Sequence, residues 1–330
     1  MSNKTKQPPL NYLEDSHLGI GTKEFLKVLN AGDTPVESLP PSEARKVLEG
    51  AQSSVKVDVS GIEEVRKTIK SGGQAVEIIV VRPKGKKEKL PVFMFLHGGG
   101  WVLGDYPTHK RLVRDLVVES GFASVFVEYT RSPPEAKFPR ALDEIYAATK
   151  WVAEHGDEIN VDGKNLAIVG NSVGGNMTIA TSIRAKKNKG PKIKGQILLW
   201  PYSEASTEAK SYRKYGKERF LTTPLMEWMR DNYVNSKADW DSIYVSPARA
   251  TKDDLKGLPP TLIEVAENDI LRNDGETLGR HLDEAGVDVT TIRFNGVIHD
   301  WGGLLNGFAK IAPTKSLILF TAAMLKKYLS

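Results

Sequence analysis

Two rhythms of hydrophobic positions alternate along this chain. Short apolar or β-branched runs recur at 90–96, 123–129, 166–169, 197–200, 262–266 and 289–294, each of a length that suits a strand. Helical patterns lie between them, notably at 141–154, 173–186 and 275–284, and a last one covers about 314–328. This alternation predicts an α/β fold with a mostly parallel sheet flanked by helices. Two further runs, 63–69 and 75–81, are joined across Ser71-Gly72-Gly73 and predict an antiparallel hairpin that opens the sheet. No internal repeat or low-complexity segment interrupts the pattern.

Two regions depart from the alternation. Residues 1–52 hold two short amphipathic patterns, one carrying Phe25, Leu26, Val28 and Leu29 and another following Pro40-Pro41-Ser42. Residues 201–250 form a long excursion in which Leu225, Trp228, Met229 and Tyr233 recur at helical spacing. Such a stripe ordinarily faces a core. An insertion leaving a strand's carboxyl end also lies over the place where open α/β sheets hold their chemistry, so these residues can serve both purposes.

Candidate chemistry is concentrated in two glycine-rich turns. His97-Gly98-Gly99-Gly100-Trp101 follows the run 90–96, and Gly170-Asn171-Ser172-Val173-Gly174-Gly175 follows 166–169. A sharp strand-to-helix turn carries its central residue with strained backbone angles, and glycine two residues to either side removes the side chains that would collide there. Ser172 occupies the tip of that turn, although a serine before a helix also suits an N-cap. Downstream, Asp269 follows the strand-like 261–266 and His299 follows 289–294. Serine, acid and histidine in that order are the parts of an acyl-transfer site on an α/β-hydrolase scaffold. His299 would take the proton from Ser172, and Asp269 would fix its tautomer and stabilise the imidazolium. Asp274 and Asp300 are rival acids; Asp274 reads as a cap for the following helix, and Asp300 is poorly placed to face the ring of its own neighbour. The backbone N–H groups of Val173, Gly99 and Gly100 are candidates for an oxyanion hole. His97 reads as a residue that orients the glycine loop. Trp101, Trp228 and Trp301 are candidates for the substrate pocket, with packing the simpler role for Trp101.

Four blocks carry a resemblance: His97-Gly98-Gly99-Gly100-Trp101, Gly170-Asn171-Ser172-Val173-Gly174-Gly175-Asn176, Ala266-Glu267-Asn268-Asp269-Ile270-Leu271-Arg272 and Gly296-Val297-Ile298-His299. Together with the block from Glu128 to Pro139, they resemble the hormone-sensitive-lipase-like esterases, in order and register from about Val76 onward. The resemblance implies an α/β-hydrolase core in two parts, 53–200 and 251–330. It also implies a cap built from 1–52 and 201–250, which pack together to shape the acyl and alcohol pockets. It implies hydrolysis of short-chain esters by Ser172, His299 and Asp269, and homodimerisation is common among such proteins. The chain departs from the commonest pattern at Asn171, where an acidic residue is usual, at Val173, where alanine is usual, and at Asp300-Trp301, where glycine and an aromatic usually follow the histidine. Substrate preference is left open by those changes. Related scaffolds that bind a small molecule without catalysis lack a working histidine, so His299 argues against that alternative. Amide hydrolysis and acyl transfer to an alcohol share the acyl-enzyme and remain open.

Composition narrows the partners. With 330 residues, 40% hydrophobic, the chain suffices for one large catalytic domain with a cap. It has no cysteine, which excludes disulfides, thiolate nucleophiles and cysteine-held metals. The remaining histidines, His17, His109, His155 and His281, show no ligand spacing, so neither a metal nor another cofactor is expected. A net charge of +5 invites a nucleic-acid partner, yet the basic runs at 84–89 and 186–192 precede strands, away from the turns described, and carry no interleaved aromatics. They read as solvated loops, so the expected partner is a small ester and no nucleic acid. The polar stretch 1–15 lacks the apolar centre of a signal peptide and no run approaches a membrane span, so a cytoplasmic location is expected.

Overall fold

The computed structural model describes residues 11–32, 34–133 and 136–330. Most of the polar N-terminal stretch and Pro134-Glu135 of the block 128–139 lie outside them. Among the described residues eight strands form one sheet: β1 (Ile62–Ser71), β2 (Gln74–Pro83), β3 (Leu90–Leu96), β4 (Ala123–Glu128), β5 (Val161–Asn171), β6 (Gly195–Leu199), β7 (Thr261–Asn268) and β8 (Val289–Ile298). Their order is β1-β2-β4-β3-β5-β6-β7-β8. β1 pairs antiparallel with β2 and β2 with β4; every later pairing is parallel. The expected hairpin is β1–β2, with Ser71 opposite Gln74.

The continuous apolar runs arise because the sheet is covered on both sides. In β3, Val92, Met94 and Leu96 join one core, and Phe93 and Phe95 join the other. β5 divides likewise, Leu166 and Ile168 against Ala167 and Val169. The helices are α1 (Ile20–Leu29), α2 (Pro41–Ser53), α3 (Tyr106–Ser120), α4 (Arg140–His155), α5 (Val173–Lys187), α6 (Lys210–Tyr215), α7 (Thr223–Tyr233), α8 (Lys252–Leu255), α9 (Arg272–Glu284) and α10 (Ala312–Leu329). Ile145, Ala148 and Val152 of α4 and Met177 of α5 cover the first face, and Leu112, Leu116, Leu317 and Leu325 of α3 and α10 cover the second. No described helix is long and apolar enough to cross a membrane.

α3 and α9 depart from the sequence reading. α3 was not marked by the hydrophobic pattern, because its buried face includes His109 and Arg111. Its ends are nonetheless explicit: Asp105 and Thr108 form a capping box, and Gly121 ends the helix at φ 76°. Asp274 does not cap α9 but lies inside its first turn. Its buried Oδ2 accepts the N–H groups of Ser203 and Glu204 (3.0 and 3.1 Å), which clamps the chain leaving β6 onto α9.

Phe93 sits at the centre of this arrangement with no solvent exposure. Phe93→Ala is expected to lower unfolding free energy by about 3–5 kcal/mol in urea titration, and a loss under about 1 kcal/mol would contradict its central placement.

Candidate active site

The turn between β5 and α5 places Ser172 at φ 56° and ψ −119°, a conformation that costs a non-glycine residue energy. Its neighbours leave little alternative. A side chain on Gly174 would drive into the carbonyl of Leu96, and one on Gly170 into the carbonyl of Gly174. The Ser172 N–H donates to the Leu199 carbonyl on β6 (2.8 Å), and the N–H of Tyr202 donates to the Ser172 carbonyl (3.2 Å). The serine side chain makes no capping bond to α5. It meets a histidine instead.

Ser172 Oγ lies 3.0 Å from His299 Nε2, and His299 Nδ1 lies 2.7 Å from Asp269 Oδ2. This line is satisfied when Nδ1–H donates to the carboxylate and the serine hydroxyl donates to Nε2. Asp269 Oδ1 accepts the Leu271 N–H (2.9 Å), which fixes the acid in turn. All three side chains are buried. Burial alone would lower the His299 pKa, but the charge and hydrogen bond of Asp269, joined by the charge of Asp300, hold it above the ordinary 6.5.

The first glycine turn lies against the second. Gly98 N–H donates to Asn171 Oδ1 (2.9 Å), joining the two loops. Gly99 and Gly100 adopt φ 103° and 63°, and their N–H groups meet no acceptor among the described residues. Val173 opens α5, where a backbone N–H has no partner within the helix. A Cβ at Gly99 would strike the Leu103 carbonyl, and one at Gly100 the Met229 side chain. His97 Nδ1 donates to the Gly98 carbonyl (2.7 Å), and Tyr129 Oη donates to the His97 carbonyl (3.0 Å) with the two rings stacked. Burial, helped by nearby His109, keeps the His97 pKa well below 6.5, so it braces the loop as a neutral ring.

Ser172 and His299 open on a cavity of about 130 Å³ whose walls are otherwise largely apolar. Leu48 and Ala51 of α2, Leu225 and Met229 of α7, Leu221 and Leu304 are among those walls. None of the three tryptophans named from the sequence lines it. Trp101 stacks flat on Tyr233 at 4.1 Å, beneath the loop. Trp301 is fully buried between Trp200 and Phe294, in the core on the far side of the sheet. Trp228 packs on the neighbouring core, because the face of α7 turned to the cavity runs through Leu225 and Met229, four residues apart, and Trp228 falls off that line. The signal for Leu225 and Met229 was that same spacing. Asp300 adjoins His299 in the chain, a position that by sequence alone is poor for facing the ring. Its φ of 58° folds the side chain back, and Oδ2 reaches 3.6 Å from His299 Nε2 while also lining the cavity.

Known proteins share the fold and much of the sequence. Residues 93–302 match the model of a family described as having the alpha/beta hydrolase fold. An esterase of Gibberella moniliformis is 30% identical over 91% of this chain and 94% of its own length. An ethyl acetate hydrolase of Pseudomonas putida is 29% identical over 84% of this chain and 89% of its own. The crystal structure of a thermostable esterase from Pseudomonas putida superposes with a TM-score of 0.94 at 50% identity, covering 96% of this chain and 99% of that one. The chain therefore belongs to the α/β-hydrolase family, among its hormone-sensitive-lipase-like esterases.

Proposed function

We propose that this carboxylic ester hydrolase is a serine esterase of short acyl esters in which Ser172 is the nucleophile, His299 the base and Asp269 its partner. The observation that carries the reading is the unbroken line of 3.0 and 2.7 Å contacts from Ser172 Oγ through His299 to Asp269, opening on a cavity beside two unpaired backbone donors. Ser172 Oγ attacks the acyl carbonyl carbon as its proton passes to His299 Nε2. The oxygen, now negative, is met by the N–H groups of Gly99, Gly100 and Val173, whose dipoles are in place before charge develops. Imidazolium stabilised by Asp269 then protonates the departing alcohol, and water repeats the sequence to release the acid. The stretches 1–52 and 201–250, which supply Leu29, Leu48, Leu221 and Met229 to the cavity walls, act as a cap that excludes water and limits acyl length.

Cavity size supports short acyl groups. A cavity of roughly 150 Å³ accepts one benzene-sized molecule, so about 130 Å³ suits an acyl chain of a few carbons. Initial rates on p-nitrophenyl acetate, butyrate, octanoate and palmitate should fall steeply beyond butyrate. Ser172→Ala should remove at least ~10⁴-fold of the rate on the short esters; full turnover by that variant would defeat the mechanism. Only neutral imidazole accepts the proton, and Asp269 raises the His299 pKa, so kcat/KM should rise with pH through a midpoint above 6.5. A midpoint below that value would show that burial outweighs the carboxylates.

Met229 reaches the cavity over Gly100 and makes its removal informative. Met229→Ala is expected to raise the octanoate-to-butyrate rate ratio by about 10-fold, the scale of one or two methylenes accommodated. An unchanged ratio would mean that the acyl chain lies elsewhere.

A further inference from the structure

Two carboxylates reach the His299 ring, one at each nitrogen. Asp269 holds Nδ1. Asp300 Oδ2 stands 3.6 Å from Nε2, on the edge that faces Ser172. That distance is too long for a hydrogen bond but short for a charge. The other oxygen, Asp300 Oδ1, accepts from Trp200 Nε1 (2.8 Å) and from Asn171 Nδ2 (2.9 Å). Asn171 Oδ1 in turn accepts the Gly98 N–H (2.9 Å), directly before the glycines of the first turn. One buried carboxylate is thereby linked to the loops that follow β3, β5, β6 and β8.

One buried cation, Arg111, interacts with the Asp300 charge but makes no ion pair with it. From α3, Arg111 is turned to the carbonyls of Gly302 and Gly303 (2.7 and 2.8 Å) and to Asp115 (3.3 Å). His109 Nε2 lies 3.3 Å from Asn171 Nδ2, and burial holds its pKa below 6.5, so it stays neutral. Facing His299 itself are Ser172, Asp269 and Asp300.

We propose that Asp300 is a second acid of this site, a positioning residue that acts through His299 rather than on the ester. It places a second negative charge beside the imidazolium and locks the histidine loop to the serine turn and the glycine loop. The inference rests on His299 being the base. At 3.6 Å, Asp300 stabilises a protonated Nε2 without competing with the departing alcohol for its proton. The same charge that makes His299 a stronger base makes its imidazolium a correspondingly weaker acid.

Asp300→Asn isolates the charge, because the amide oxygen can still accept from Trp200 and Asn171. The readout is the titration of His299 by nitrogen-15 NMR on histidine-labelled protein, with the signal identified by its loss in His299→Gln. His299 should titrate lower in D300N than in the wild type by about one pH unit or more, the effect of an opposite charge within ~4–6 Å. The acid limb of kcat/KM should move down with it. A folded D300N whose His299 titration shifts by less than about 0.2 unit overturns the proposal. Trp200→Phe removes one hydrogen bond and keeps the charge, so its titration should stay near the wild type; a shift equal to that of D300N would assign the effect to loop disturbance and also overturn it. If D300N does not fold, Asp300→Ser is read in the same way. Loss of the serine reading is seen separately, as hydrolysis that survives Ser172→Ala, and the NMR titration decides the role of Asp300 in either case.

Discussion

The left-handed backbone of Ser172 is the constraint on which the site depends. At φ 56° this turn costs about 1–3 kcal/mol, and nothing local repays it. What sustains it is the centre of the sheet: β5 lies between β3 and β6, the Ser172 N–H is bonded to Leu199, and Gly170 and Gly174 allow backbone to pack where no side chain fits. The strain aims the hydroxyl out of the sheet and starts α5 at the next residue. The positive end of that helix then lies beside the same point.

A parallel sheet supplies the remaining groups by the same geometry. His97, Ser172, Asp269 and His299 lie far apart in sequence, yet each follows the carboxyl end of a strand, and those ends share one edge. Hydrogen bonds then set the finer distances: Gly98 to Asn171 between two loops, and Leu271 to Asp269 within a third. Few of these contacts involve groups free to move, because nearly all are buried in close-packed surroundings. The clamp of Asp274 on Ser203 and Glu204 extends that order to the excursion over the cavity.

What could be read from the sequence follows from how local each cause is. The runs at 90–96 and 166–169 and the hairpin at Ser71-Gly72-Gly73 were legible because strand burial and turn chemistry leave a short-range signature. The proximity of Ser172, Asp269 and His299 was legible through their order, since one kind of turn after each strand suffices to gather them. The cavity was not. Its walls come from α2, α7 and separate loops, so a one-residue error in helix phase exchanges Trp228 for Met229. Large aromatics drew attention as pocket walls, whereas Trp101 and Trp301 had the more ordinary fate of filling cores. Strand β5 begins at Val161 rather than near 166, because its first residues pair across an irregularity opposite Pro91 that the apolar pattern does not mark.

The departures from the commonest family pattern are instructive for the same reason. Asn171 and Asp300 stand 129 residues apart and looked like separate changes, yet they are the two sides of one 2.9 Å hydrogen bond. An acid beside the serine and a glycine beside the histidine would put negative charge on the serine turn. Here the amide occupies that turn and the carboxylate sits on the histidine loop, 3.6 Å from Nε2. A carboxylate in both places would set like charges within hydrogen-bonding distance in a buried site, and one would have to hold a proton. The amide avoids that cost while its oxygen still receives Gly98 and its nitrogen still steadies Asp300. In this chain, therefore, the charge stands on the histidine loop and the neutral amide on the serine turn, and the 2.9 Å hydrogen bond between them ties the two loops together.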